Sequence, residues 1–101
     1  LIKTSSLSAN IAIPTEYNLI QPYPNPFNPS LSIPIDIKQR SNVNITIFDI
    51  NGRFVEEVIS QSMNMGQYQF SWNAAQSPSG LYIIQTKINQ KVYKSKAVLL
   101  K

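Results

Sequence analysis

Side chains able to do acid–base or nucleophilic work are scarce in this sequence, and the scarcity narrows its chemistry. The 101 residues contain no cysteine and no histidine, and the only carboxylates are Glu16, Asp36, Asp49, Glu56 and Glu57. Without histidine a Ser-His relay is impossible, and without cysteine so is a thiol nucleophile. A two-carboxylate hydrolytic site is the one formal option left. Glu56 and Glu57 are adjacent, so a regular strand sends them to opposite faces, and the other acids are scattered. Zinc needs Cys, His or clustered carboxylates. Three glycines leave no glycine-rich phosphate loop. The expectation is a non-enzymatic chain with no metal and no cofactor.

Binding chemistry is better represented. Tyr68, Phe70 and Trp72 alternate, so they share one face of a strand. Facing outward they would stack on sugars, as in a carbohydrate- or protein-binding accessory module; facing inward they pack a core, the commoner fate of large aromatics. Nine basic against five acidic residues give a net charge of +4. Lys91, Lys94, Lys96 and Lys101 lie near the C-terminal end, either as a solvated strand face or as a binding patch. No aromatic platform interleaves with these cations, so nucleic acid is not an expected partner. No apolar run reaches membrane-spanning length, so membrane insertion is not expected either. The chain opens at Leu1 with neither a methionine nor a signal-type leader, which suggests a portion of a longer protein.

The elements that must position these residues read as strands. In residues 31–38 (LSIPIDIK), Ile33, Ile35 and Ile37 share a face, and Pro34 suits an edge strand because it cannot donate to a neighbour. Val43, Ile45 and Ile47 form the next stripe, with Asn44, Thr46 and Phe48 opposite. Asn51-Gly52 predicts a type I′ hairpin, whose two central residues both need positive φ. The period breaks at Glu56-Glu57, as at a bulge or a strand end. Residues 66–73 alternate again, Ser77-Pro78-Ser79-Gly80 makes a turn, and a last hairpin turns at Asn89-Gln90. Helical spacing is absent. Short strands with turns every 8–12 residues predict an all-β, immunoglobulin-like antiparallel β-sandwich of about seven strands. Residues 1–21 read as a linker and possible first strand, with small residues from Ser5 to Ala9 suited to a protease-accessible stretch. Residues 22–101 read as the sandwich, including a proline-rich lead-in over 22–30. The predicted core is Ile35, Ile37, Val43, Ile45, Ile47, Phe70, Trp72, Tyr82 and Ile84, with Phe27 docked on it.

Pro22, Pro24, Pro26 and Pro29 stiffen the lead-in before it docks. Asn25 and Asn28 precede prolines, which favours Asx-type turns. Three roles fit: a rigid strut packed along the sandwich, a PxxP ligand, or a recognition element.

The ordered set of motifs carries a resemblance. It comprises YNLIQPYPNPFNPS at 17–30, Val43-x-Ile45-x-Ile47-Phe48-Asp49, and Asn51-Gly52-Arg53 with Val55. Trp72, Ser79-Gly80-Leu81-Tyr82 and the terminal KAVLLK at 96–101 follow. From Ile13 to Lys101 the chain resembles the type IX secretion (Por secretion) C-terminal sorting domain of type A. It is also similar to the immunoglobulin-like domain of flagellar-hook capping proteins. Tyr23, Pro24, Asn25, Pro26, Phe27, Asn28, Pro29, Gly52, Gly80 and Tyr82 are the motif positions; Pro22 stands where the family more often has Asn.

The resemblance implies a C-terminal sorting signal of a Bacteroidota-type bacterium, fused to an N-terminal cargo domain. Its partners would be the outer-membrane type IX translocon and a sortase-like cysteine peptidase that removes it, often with attachment of the cargo to an anionic lipopolysaccharide. The cargo would pass through the periplasm and end secreted or on the cell surface. Lys96, Ala97, Val98, Leu99, Leu100 and Lys101 are the candidate recognition segment: a last strand whose outer edge offers unpaired N–H and C=O groups for strand addition, guarded by lysines. Alternatively the segment only completes the sheet, with Ala97 and Leu99 inward and Lys96 and Lys101 solvated.

Overall fold

The computed structural model describes residues 21–101, and there it is all strand and no helix. Six strands follow in order: β1 (Ser30–Ile37), β2 (Ser41–Asp49), β3 (Phe54–Met63), β4 (Gly66–Asn73), β5 (Gly80–Ile88) and β6 (Lys91–Leu99). The possible first strand, the Ser5–Ala9 linker and Glu16 lie outside the described residues.

All pairings between these six strands are antiparallel. One sheet has the order β3-β2-β5-β6, and the other pairs β1 with β4. Hairpins join β2 to β3 and β5 to β6, while β1–β2, β3–β4 and β4–β5 change sheet. This is the immunoglobulin neighbour pattern, with β1 and β4 in the B and E places and β3, β2, β5 and β6 as C′, C, F and G. The sandwich expected from the sequence is the observed fold.

Alternation puts the core between the sheets. Leu31, Ile33, Ile35 and Ile37 line one wall, and Val43, Ile45, Ile47, Ile84, Ala97 and Leu99 line the other, all at 2% exposure or less. Tyr82 and Met63 are buried with them. Three rings meet in the centre: Phe27 lies tilted, 5.6 Å from Trp72, and Trp72 meets Tyr82 edge-on at 5.2 Å. Trp72 is 1% exposed, so its ring is core and no sugar platform. Phe70 departs from the expected core: it and Tyr68 are half-buried, stacked at 6.5 Å. Both sit on β4, which has no neighbour on its outer side among the described residues.

The β2–β3 hairpin corrects the turn assignment. Gly52 has φ of +83°, but Asn51 does not share it, so the turn is not type I′. Ile50, Asn51 and Gly52 form a three-residue loop closed by Asp49 N–H to Arg53 C=O (2.9 Å) and Gly52 N–H to Asp49 C=O (3.0 Å). Asp49 is the reason: its carboxylate accepts from the N–H groups of Asn51 and Arg53, both at 2.9 Å. That fixes a type I-like turn with glycine in the left-handed position. The break at Glu56-Glu57 is real: Ile45 pairs with Ile59 but Thr46 with Glu57, and Ile47 with Glu56 but Phe48 with Phe54. Val58 and Val55 are thus the extra residues of two bulges.

Candidate functional site: a proline strap on the terminal strand

The two candidate segments, far apart in sequence, meet in the structure. The lead-in alternates, so the backbones of Tyr23 and Phe27 and the side chain of Asn25 all face the sandwich. Tyr23 trades backbone bonds with Ser32 of β1, N–H to C=O at 2.9 Å and the reverse at 2.7 Å. Asn25 turns to β6 instead. Its side-chain oxygen accepts from Val98 N–H at 2.9 Å and its amide nitrogen donates to Lys96 C=O at 3.3 Å. The carboxamide thereby stands in for one peptide unit of a neighbouring strand.

Phe27 supplies the next. Its N–H donates to Val98 C=O at 2.9 Å, and its C=O accepts from Leu100 N–H at 3.1 Å, a parallel bridge to Leu99. The Phe27 side chain drops into the core at 2% exposure. Pro29 C=O then accepts from Ala74 N–H at 2.9 Å, just past β4. The peptide bonds before Pro24, Pro26 and Pro29 are cis, and Pro22 is buried. Residues 23–29 therefore form a strap across one flank of the sandwich, tied to both sheets.

Two expectations change here. Asn25 does not use its side chain for a local Asx turn; it reaches across the flank to β6. Nor does the outer edge of Lys96–Leu100 offer free groups for strand addition: Lys96 C=O, both groups of Val98 and Leu100 N–H are taken by the strap. Sequence reasoning named both segments and missed their pairing. The readable signal was the spacing Tyr23, Asn25, Phe27, a strand-like period of two inside a proline-rich run.

The terminal segment splits by face. Ala97 and Leu99 are fully buried, Val98 is half-buried, and Lys96, Leu100 and Lys101 are exposed, Leu100 at 55%. Lys101 is tethered too, its N–H donating to Ser79 Oγ at 3.1 Å and its ammonium to Ala75 C=O at 2.6 Å. Gly80 begins β5 directly opposite Leu99. Tyr82, two residues on, donates its hydroxyl to Pro78 C=O at 2.6 Å, a tyrosine corner that fixes the chain's entry into β5. Gly52 lies in the β2–β3 loop.

Electrostatics here are those of a surface. Asp49 is held below the ordinary carboxylate range, chiefly by the Arg53 backbone N–H, then by the Asn51 N–H and the Arg53 guanidinium. Its 3.2 Å ion pair with Arg53 and the 2.8 Å pair of Lys38 with Asp36 are solvent-exposed. A depression of about 250 Å³ beside Asp49 is lined by Phe48, Ile50, Ile83 and Lys94. Among the described residues no three Cys, His, Asp or Glu side chains gather to hold a metal, and no helix is long and apolar enough to cross a membrane.

A family model described as "Secretion system C-terminal sorting domain" matches residues 21–100. The chain belongs to that family. It is a type IX secretion C-terminal sorting domain, and no curated protein matches it. The match begins two residues before the strap and ends one residue short of Lys101, so the sorting domain as a family unit contains both halves of the clamp. A sorting signal of this kind implies export to the cell surface or beyond, and contact with the secretion machinery.

Proposed function

We propose that the sorting domain carries a protein joined upstream of it from the periplasm across the outer membrane, and that a sortase-like cysteine peptidase then removes the domain. The translocon reads the exposed side chains of the terminal segment, Lys96, Leu100 and Lys101, rather than its backbone. The supporting observation is the strap: the backbone groups that strand addition would use are already bonded to Asn25 and Phe27. What is left for a partner is a fixed row of side chains on a sealed edge.

The test is a reporter exported to the periplasm and fused ahead of residues 1–101, in a bacterium that has the pathway. Deleting Lys96–Lys101 removes Ala97 and Leu99 from the core, so it tests folding as much as sorting. Lys96→Gln, Leu100→Ser and Lys101→Gln together leave the core intact. The intact fusion is expected outside the cell, and the triple variant trapped in the periplasm with an unchanged denaturation midpoint. Export by the triple variant rejects this segment as the recognition surface. Periplasmic retention of the intact fusion rejects the sorting role of the isolated chain.

A further inference from the structure

Among the described residues no strap crosses the opposite flank of the sandwich. It is bounded by β3 and β4, the outer strands of the two sheets on that side, joined by only Asn64 and Met65. Half-buried apolar side chains gather along it: Val55, Val58 and Ile59 from β3, Tyr68 and Phe70 from β4, all packed against the core. Met65 between the strands is 72% exposed.

The two edges of this flank differ in protection. β3 carries two bulges and the exposed acids Glu56 and Glu57, devices that discourage pairing. β4 has none: Gly66–Asn73 holds no charge, no proline and no register break against β1. In an immunoglobulin sandwich of the constant type a D strand lies beside E, the place of β4. Among the described residues that place is empty.

The direction of the β4 backbone groups follows from one proline. Pro34 of β1 faces Gln69, and proline has no N–H to give. The pair must therefore be of the kind that exchanges no hydrogen bonds, so the N–H and C=O of Gln69 point away from β1. By alternation those of Gln67 and Ser71 point the same way. Ser32, also an even-numbered β1 residue, agrees with this assignment, since its own groups turn outward to Tyr23.

The sequence here is close to a palindrome: Gln67-Tyr68-Gln69-Phe70-Ser71. We propose that β4 pairs antiparallel with β4 of a second copy of this chain about a two-fold axis at Gln69. Gln69 then exchanges two bonds with its own counterpart, and Gln67 does so with Ser71 of the other copy. Tyr68 falls opposite Phe70 of the second copy, in the close pairs where cross-strand side chains approach most nearly. The half-buried aromatic pair becomes a covered four-ring cluster, and the two-stranded sheet becomes a four-stranded one with the order β1-β4-β4-β1. The interface is isologous and closes on itself, so it stops at a dimer. It leaves the strap flank and the terminal segment free, and it does not depend on the sorting reading.

The test is the oligomeric state of the 101-residue chain by sedimentation equilibrium up to millimolar concentration. Gln69 is exposed, so Gln69→Lys and Gln69→Glu keep the fold while placing like charges face to face on the axis. A dimer is expected for the parent chain. Each variant alone should have a dissociation constant raised at least about tenfold by the like-charge pair. An equimolar mixture of Gln69→Lys with Gln69→Glu should recover the dimer. A parent chain that stays monomeric overturns the proposal. So does a Gln69→Lys chain that dimerises as well as the parent, or a mixture that shows no recovery.

Discussion

The two flanks of this sandwich meet the same problem with opposite outcomes. On one side the chain's own strap covers the outer edge of β1 at Ser32, through Tyr23, and that of β6 from Lys96 to Leu100, through Asn25 and Phe27. On the other side β3 is bulged and acidic, while β4 has no outer neighbour among the described residues. A closed sheet edge cannot recruit a strand, and an open one can. The comparison teaches that the edge bearing the terminal segment is withheld from backbone pairing. The edge free to pair lies across the molecule from it.

The largest effect should separate the flanks by their phenylalanines. Phe27→Ala on the strap deletes a ring that is 2% exposed and touches Trp72. Loss of a buried aromatic costs about 3–5 kcal/mol, against a total of about 5–15 kcal/mol for a domain. Phe54→Ala on β3 removes a ring that is 64% exposed and should cost no more than about 0.5 kcal/mol. Urea denaturation of both variants reads the contrast directly; similar midpoints would erase the distinction between the flanks.

Next in size is the carboxamide that mimics a strand. Asn25→Ala removes two bonds and leaves Val98 N–H and Lys96 C=O to water, at a cost of about 1–2 kcal/mol. Asn25→Asp keeps the acceptor for Val98 and should fall between Ala and the parent at neutral pH. Equal losses for both substitutions would mean the amide donor does all the holding.

A stabilising change is expected in the interior between the flanks. Thr86 is fully buried and its hydroxyl is the one buried side-chain polar atom without a partner among the described residues. Thr86→Val removes that unsatisfied group and should raise stability by about 1 kcal/mol. A lower melting temperature for Thr86→Val would show that the site is satisfied in solution.

The smallest effect is a pH dependence at the loop between β2 and β3. Asp49 has its affinity for protons lowered by folding, so its contribution is present above the ordinary carboxylate range and is lost as pH falls through its folded value. The group is exposed, so the effect is small. Asp49→Asn should remove this portion of the acid sensitivity and flatten the fall in melting temperature as pH drops through the ordinary carboxylate range and below it. An unchanged acid profile would assign that sensitivity to other carboxylates.

Much of the fold was legible because a period of two is hard to mistake when β-branched residues carry it. Ile33, Ile35 and Ile37, and likewise Val43, Ile45 and Ile47, fell on the faces their spacing assigns. The turn at Asn51-Gly52 was not, because Asp49 captures the following N–H groups and shifts the loop by one residue. Phe70 was misjudged for a different reason: alternation gives a side chain's face but not whether a neighbouring strand covers it. The strap was legible only in part. Proline spacing reveals stiffness, whereas the pairing of Asn25 with Val98 spans 73 residues and no local rule foretells it.

Amide hydrogen exchange of the dilute, monomeric chain bears most directly on the account. Val98 and Leu100 donate to the strap, at 2.9 and 3.1 Å, while Gln67, Gln69 and Ser71 point into the open flank. Val98 and Leu100 are expected to exchange only through opening close to global unfolding, and the three β4 amides to exchange far faster. Val98 and Leu100 exchanging as quickly as the β4 amides would contradict it, because the terminal strand would then have an open edge after all.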